Sequence, residues 1–306
     1  MTGPPAATAA VRTAVRRCLA DLPDGAHVAA AVSGGADSLA LAAALAVLRP
    51  GAGALVVDHG LQDGSAAVAA RAAGQCRDLG LVPRVLLAPS RGAGGPEGTA
   101  RTARYAALDA AAEADGTTAV LLGHTLDDQA ETVLLGLARG SGARALAGMS
   151  AVRGRYRRPL LDVARALTRA ACAEAGLEAW QDPHNDDPSA ARVRVRRRVL
   201  PVLEEQLGPG VSEALARTAR QLREDADALD ALVPDSDEVA VLAALPPALR
   251  SRALKRWAER ACGAAVTAAH VDALRALVED WHGQGPVALP GGVRASRQGP
   301  RLASAP

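Results

Sequence analysis

Four short apolar runs alternate with long alanine-rich segments before residue 125, and this alternation restricts the fold more than any other feature of the chain. The runs at 27–32, 54–58, 82–88 and 119–123 have the length of strands. Between them lie 38–48, 65–79 and 99–114, rich in alanine, the strongest helix former. These segments break at Pro50-Gly51, Gly80 and Asp115-Gly116, where glycine and proline end a helix. Strands alternating with helices predict an α/β chain with a doubly wound, mainly parallel sheet covered on both faces. Such sheets take their ligands at the carboxyl ends of the strands. The loops after residues 32, 58, 88 and 123 are therefore the places to look.

Residues 89–96 read as a mobile loop and 181–190 as a linker or an ordered turn region. Beyond about residue 206 the strand signals fade. Helical segments run to Gly283, and β-like stretches at 286–289 and 292–295 follow. The expected division is a larger domain at 1–206 and a smaller, mostly helical one at 207–306. The core must be built from Ala, Leu and Val, because the chain has no Phe and only two Tyr and three Trp.

A net charge of +2 decides little, but its distribution is uneven. Arg139, Arg144, Arg153, Arg155, Arg157, Arg158, Arg165 and Arg169 face a single acid, Asp162, within 139–169; Arg192, Arg194, Arg196, Arg197 and Arg198 follow. This is compatible with a polyanionic partner and equally with salt-bridged helix faces. Cys18, Cys76, Cys172 and Cys262 are far apart and form no CxxC pair, so neither zinc nor a disulfide framework is expected. The N-terminus has no basic stretch leading into an apolar core, and no apolar run reaches the roughly 18–20 residues that span a bilayer. A cytoplasmic protein without a membrane partner is expected.

The sharpest motif is Ser33-Gly34-Gly35-Ala36-Asp37-Ser38, between a predicted strand and a predicted helix. Paired glycines allow a tight turn and close backbone approach, and the N–H groups of a helix start form an anion cradle. Ser33 and Ser38 add hydroxyls. Asp37 beside a phosphate requires a cation, which points to magnesium bridging carboxylate and phosphate oxygens. The bland alternative is a glycine turn with a capped helix. The loop is neither a Walker A sequence nor GxGxxG.

The second motif, 123–132, reads Gly-His-Thr-Leu-Asp-Asp-Gln-Ala-Glu-Thr and follows the fourth strand. Thr125 can cap a helix on which Asp127, Asp128 and Glu131 share a side. Acids in a first turn also suit the helix dipole without further purpose. Beside a phosphate loop, His124 and the three acids Asp127, Asp128 and Glu131 fit proton handling and cation binding better, with Asp128 joining Asp37 as a candidate metal ligand. In the third motif, Arg101 and Arg104 stand three apart ahead of Tyr105. Paired guanidiniums suit phosphate oxygens, although exposed helix arginines are the ordinary explanation.

The six-residue loop resembles the SGGxDS signature of PP-loop (N-type) ATP pyrophosphatases. The order of further motifs is similar to that of the tRNA(Ile)-lysidine synthetase family. After the loop come Asp58-His59-Gly60-Leu61, Ala100-Arg101 with Arg104-Tyr105, the 123–132 string, Arg139-Gly140-Ser141-Gly142 and Arg158-Pro159-Leu160-Leu161. Asp182-Pro183 with Asn185, and Arg192 to Pro201, complete the set. Two positions depart from the family pattern: Gln62 and Val193 stand where Arg and Asn are usual. The resemblance covers about residues 27–201.

The resemblance implies an adenine nucleotide alpha hydrolase-like fold, ATP and Mg2+ as cofactors, and ligase activity. Free L-lysine would be joined to C2 of the wobble cytidine of tRNA(Ile) with a CAU anticodon, through an adenylated cytidine, with release of AMP and pyrophosphate. Ser33, Gly34, Gly35, Ala36, Asp37 and Ser38 would hold the nucleotide, Arg101 and Arg104 the α-phosphate, and His124, Asp127 and Asp128 the lysine. The Arg-rich segments and residues 207–306 would grip the tRNA. The oligomeric state stays open, with a homodimer among the options. Competing readings are tRNA thiolation, which the missing CxxC pairs oppose, an amide-forming ligase acting on a small molecule, and a non-catalytic nucleotide-gated RNA-binding protein.

Overall fold

The computed structural model describes residues 3–58, 60, 64–88, 96–140, 142–182 and 187–306. The string around His59 to Gln62, the segment 89–95, Ser141, and Pro183 with Asn185 lie outside the described residues, wholly or in part.

The predicted alternation is present. The strands are β1 (Val28–Val32), β2 (Gly53–Asp58), β3 (Val82–Leu87) and β4 (Ala119–Leu122). They alternate with α2 (Ala36–Leu48), α3 (Ser65–Asp78) and α4 (Pro96–Ala114), and α1 (Ala6–Leu19) precedes them all. A short antiparallel pair, β5 (Val152–Arg153) and β6 (Tyr156–Arg157), completes a six-stranded sheet of order β3-β2-β1-β4-β6-β5. All neighbours except β5 and β6 run parallel. The chain leaves β1 toward β2 and β3 on one side and returns to β4 on the other. The order thus reverses between β1 and β4, which opens a crevice at their carboxyl ends.

Alternate strand residues feed two cores, as the two-residue period of a strand requires. Val28, Ala30, Val32, Ala54, Val56 and Leu121 pack with α1, α2 and α3, whereas Ala29, Leu55, Val120 and Leu122 pack with Leu108, Ala111 and Ala112 of α4. Alanines on β1 let α2 lie close to the sheet, and α2 is apolar around most of its circumference, as befits a buried helix. Helix α1 buries only Ala7, Val11, Val15 and Leu19, one residue per turn, too thin a stripe to announce itself beside the alanine-rich segments.

Beyond the sheet come α5 (Leu126–Ala138), α6 (Ala143–Leu146), α7 (Arg165–Glu174) and α8 (Ala191–Arg194). A five-residue π-helical turn, Val195–Val199, leads into α9 (Leu200–Leu207), and α10 (Val211–Ala231) follows. The chain forms two compact units, Met1–Arg223 and Glu224–Pro306, whose division falls within α10. The second unit contains α11 (Val239–Ala244), α12 (Pro247–Cys262), α13 (Ala268–Glu279) and an antiparallel sheet of β7 (Val287–Ala288), β8 (Arg294–Gln298) and β9 (Arg301–Ala305). Strand β9 was not foreseen: Leu302 is its only buried residue, so it carries no apolar alternation. Among the described residues no helix is long and apolar enough to cross a membrane.

Candidate functional site

Residues 33–38 connect β1 to α2 as a loop closed on itself. The Ser33 N–H donates to Ser38 Oγ at 3.1 Å, and Ser38 Oγ donates to the Gly35 carbonyl at 2.9 Å. Gly34 has φ +83°, a left-handed conformation that glycine adopts without penalty. Its carbonyl accepts the Trp180 N–H at 2.9 Å. Gly35 caps α2, so the open N–H groups of the first turn belong to this loop. A cavity of about 150 Å³ borders Gly34 and is lined also by Arg71, Gln75, Glu178 and Trp180.

The end of β4 abuts this loop. A Cβ on Gly123 would stand 3.2 Å from Ser38 Cα and N and 3.3 Å from the Asp37 carbonyl carbon. Glycine lets the end of β4 approach the first turn of α2 this closely without displacing its backbone. After it, Thr125 precedes α5, and Asp128 Oδ2 reaches back to the Thr125 N–H at 2.8 Å and hydroxyl at 3.0 Å. The helix start predicted at Leu126 is thereby fixed by its own acid.

Asp37, Asp127 and Asp128 are brought together by a residue the sequence reading assigned elsewhere. Arg165, at the start of α7, lies with Nε 3.6 Å from Asp37, Nη2 2.7 Å from Asp128 and Nη1 3.2 Å from Glu131. Its backbone N–H donates to Asp127 at 2.7 Å. Thr168, on the same helix, donates to Asp37. Burial pushes the Asp37 carboxyl up, against the pull of Thr168 and Arg165. Burial acts the same way on Asp128, but Arg165, the Thr125 N–H and Arg196 together hold its carboxyl below the ordinary range. Among the described residues no three His, Cys, Asp or Glu side chains converge on a metal position. Magnesium at nucleotide sites ordinarily takes one or two carboxylates plus phosphates, so Asp37 in its helix-start loop fits that share. Both Asp128 oxygens are engaged by Arg165, Arg196 and Thr125.

His124 sits between these acids and the arginines of the other motif. Burial holds its ring down to about 4, Asp128 opposes this, and Arg158, Arg101 and Arg192 add to it. The ring is neutral at pH 7, with a buried Nδ1 that has no hydrogen-bond partner. Arg101 stacks 5.1 Å from the centre of the Tyr105 ring, and Arg158 Nη2 donates to the Tyr105 hydroxyl at 3.4 Å. Arg104, on the same helix α4, shows surface to solvent, yet burial and the neighbouring Arg101 guanidinium push its own guanidinium below the ordinary range.

The Arg-rich segments are less free for a partner than their composition suggests. Arg196 Nε lies 2.7 Å and Arg192 Nε 3.3 Å from Glu131, which is fully buried. Arg194 donates to the carbonyls of Pro188 and Ser189 at 2.8 and 2.6 Å. Arg157 is paired with Asp21, and Arg158 is buried against the Ser150 carbonyl. Arg139, Arg144, Arg153, Arg169, Arg197 and Arg198 are exposed. Arg165, Arg192 and Arg196 therefore pair with Glu131, one of the acids the sequence groups on this helix, and charge counting in the Arg-rich segments misassigns these three arginines. One signal was available for Arg165: a cation in a helix's first turn opposes the dipole and needs acids nearby.

Comparison with known proteins shows the family and the fold. Residues 8–203 match the family model described as a PP-loop domain, and residues 238–299 match a TilS substrate binding domain. A tRNA(Ile)-lysidine synthase of Leifsonia xyli is 58% identical, with 90% of this chain and 89% of that protein covered. One from Thermobifida fusca is 54% identical, with 97% of each chain covered. Among solved structures, the U34-tRNA thiolase NcsA of Methanococcus maripaludis shares the fold, with a TM-score of 0.60 at 20% identity over 71% of this chain and 80% of that one. Identity above one half along nearly the whole of both chains admits one assignment: the chain belongs to the tRNA(Ile)-lysidine synthase family of PP-loop ATP-binding enzymes.

Proposed function

We propose that this chain uses ATP to activate the wobble cytidine of tRNA(Ile) with a CAU anticodon and joins free L-lysine to its C2. The cytosine C2 oxygen attacks the α-phosphorus and pyrophosphate leaves. The lysine ε-amine then attacks C2, loses a proton, and expels AMP. The observation that carries this reading is the contact of Gly123 with the backbone of Asp37 and Ser38, which sets a phosphate loop and an acid-bearing helix start side by side.

In this reading the backbone of Ser33, Gly34, Gly35 and Ala36 and the Ser38 hydroxyl cradle the departing pyrophosphate. Asp37 provides the protein's contact to magnesium, with Asp128 available only if its present partners yield. Magnesium, when bound, supplies positive charge that offsets the charge on the leaving group. Arg101 and Arg104 neutralise the α-phosphate or the adenylate. Asp127 and Asp128 orient the lysine ammonium, and His124 accepts a hydrogen bond from it. A ring held to about 4 is a poor store for the amine's proton at neutral pH, which suits an orienting role. Catalysis belongs to residues 1–206 and tRNA contact to 207–306, together with the exposed arginines.

Pyrophosphate release, measured with ATP and lysine in the presence and absence of a tRNA(Ile) CAU transcript, tests this. Release that requires the transcript supports the proposal. Equal release without tRNA would replace it with a ligase acting on a small molecule.

A further inference from the structure

Arg165 stands at the first position of α7, where the positive helix start works against a cation. Its side chain is only 11% exposed and spans carboxylates from two elements: Asp37 on α2, and Asp128 and Glu131 on α5. The three contacts are unequal. Asp37 is met at 3.6 Å, Asp128 at 2.7 Å and Glu131 at 3.2 Å. The same helix start reaches both acid-bearing loops by other routes, through the Arg165 N–H to Asp127 and the Thr168 hydroxyl to Asp37. Glu131 is additionally held by Arg192 and Arg196, and Asp128 by Thr125. Asp37 is the carboxylate on which Arg165 has its weakest hold.

We infer that Arg165 is a positioning residue with a second task. Its guanidinium keeps Asp37 and Asp128 together in the nucleotide-free enzyme, and it competes with a divalent ion for Asp37. An ion arriving at Asp37 pushes the guanidinium off that carboxylate while the shorter contacts to Asp128 and Glu131 persist. Two cations on one carboxylate repel at short range, so ion and guanidinium exclude each other there. The inference rests on the proposal that Asp37 takes the divalent ion.

Manganese titration of the full-length, nucleotide-free protein, read by electron paramagnetic resonance, tests it. Arg165→Gln removes the competing charge and keeps a polar group. It is expected to bind Mn2+ on the order of tenfold more tightly than the wild type. Adding Asp37→Asn to that variant should abolish the gain. Unchanged or weaker binding by Arg165→Gln overturns the inference, and so does a gain that survives Asp37→Asn. Should Arg165→Gln prove unfolded by circular dichroism, Arg165→Lys is read instead. It keeps the charge but loses the planar fork, so roughly threefold tightening is expected and none is refutation. A parallel titration with ATP separates the two claims. Mn2+–ATP binding indifferent to Asp37→Asn sinks the metal role of Asp37. Sensitivity to Asp37 with indifference to Arg165 sinks only the competition.

Discussion

Glu131 is the most exposing place to perturb the site, because its side chain is fully buried and three guanidiniums converge on it. Arg196, Arg165 and Arg192 stand 2.7, 3.2 and 3.3 Å from its oxygens. Removing one partner of a buried ion pair costs about 3–5 kcal/mol, since the charge left behind is neither solvated nor paired. Arg165 keeps Asp128 and Asp37 in Glu131→Ala, while Arg192 and Arg196 have 31% and 26% of their side chains exposed and recover some hydration. The lower end, about 3 kcal/mol, therefore applies. With an m-value of about 3 kcal/mol per molar urea for a unit of this size, the urea midpoint should fall by about 1 M. Glu131→Gln retains volume and one acceptor, and should cost about 1–2 kcal/mol. Urea titration followed by circular dichroism reads both. A Glu131→Ala midpoint within about 0.2 M of the wild type would show that the three arginines do not depend on this carboxylate, and the network as described would be wrong.

Four further outcomes follow from the same geometry. Gly123→Ala should push β4 away from the phosphate loop, destabilise the chain by about 1–2 kcal/mol, and raise the KM for ATP; an unaltered KM would show that the 3.2 Å approach to Ser38 does not shape the nucleotide site. His124 has a folded value of about 4 against 6.5 for the free side chain, so the folded state binds protons less readily than the unfolded one. Its contribution is complete above pH 6.5 and is lost as pH falls toward 4, and His124→Gln should flatten that acid limb in a series of thermal melts. Arg198→Ala should weaken tRNA binding and lower the slope of log affinity against log salt by about one. Arg194→Ala should instead loosen the turn at Pro188 and Ser189, which hydrogen exchange would detect.

The alternation of apolar runs with alanine-rich segments was enough to place β1 to β4 and α2 to α4, because a fully buried parallel strand and a buried helix differ in length as well as period. The placement of the 33–38 loop and the α5 acids side by side was legible for a related reason: both strings follow strands of one parallel sheet and so start at the same sheet edge. The short β5–β6 pair was not legible, since two-residue strands carry no periodicity. Nor was the role of Arg165, Arg192 and Arg196. An arginine buried against a carboxylate and one exposed to solvent look alike in a sequence, and only the fold decides between them. Arg157 and Arg158 show the same ambiguity, one tied to Asp21 and the other buried behind Tyr105.

Mass spectrometry of the tRNA tests the central claim most directly. The protein is mixed with ATP, magnesium, L-lysine and a tRNA(Ile) CAU transcript, and the digested RNA is searched for a lysine-modified cytidine. The wild type should yield it, and Asp37→Ala should yield none while still retaining the transcript on a filter. A wild-type digest without the modified nucleoside, or an Asp37→Ala variant that forms it at the wild-type rate, would contradict the account.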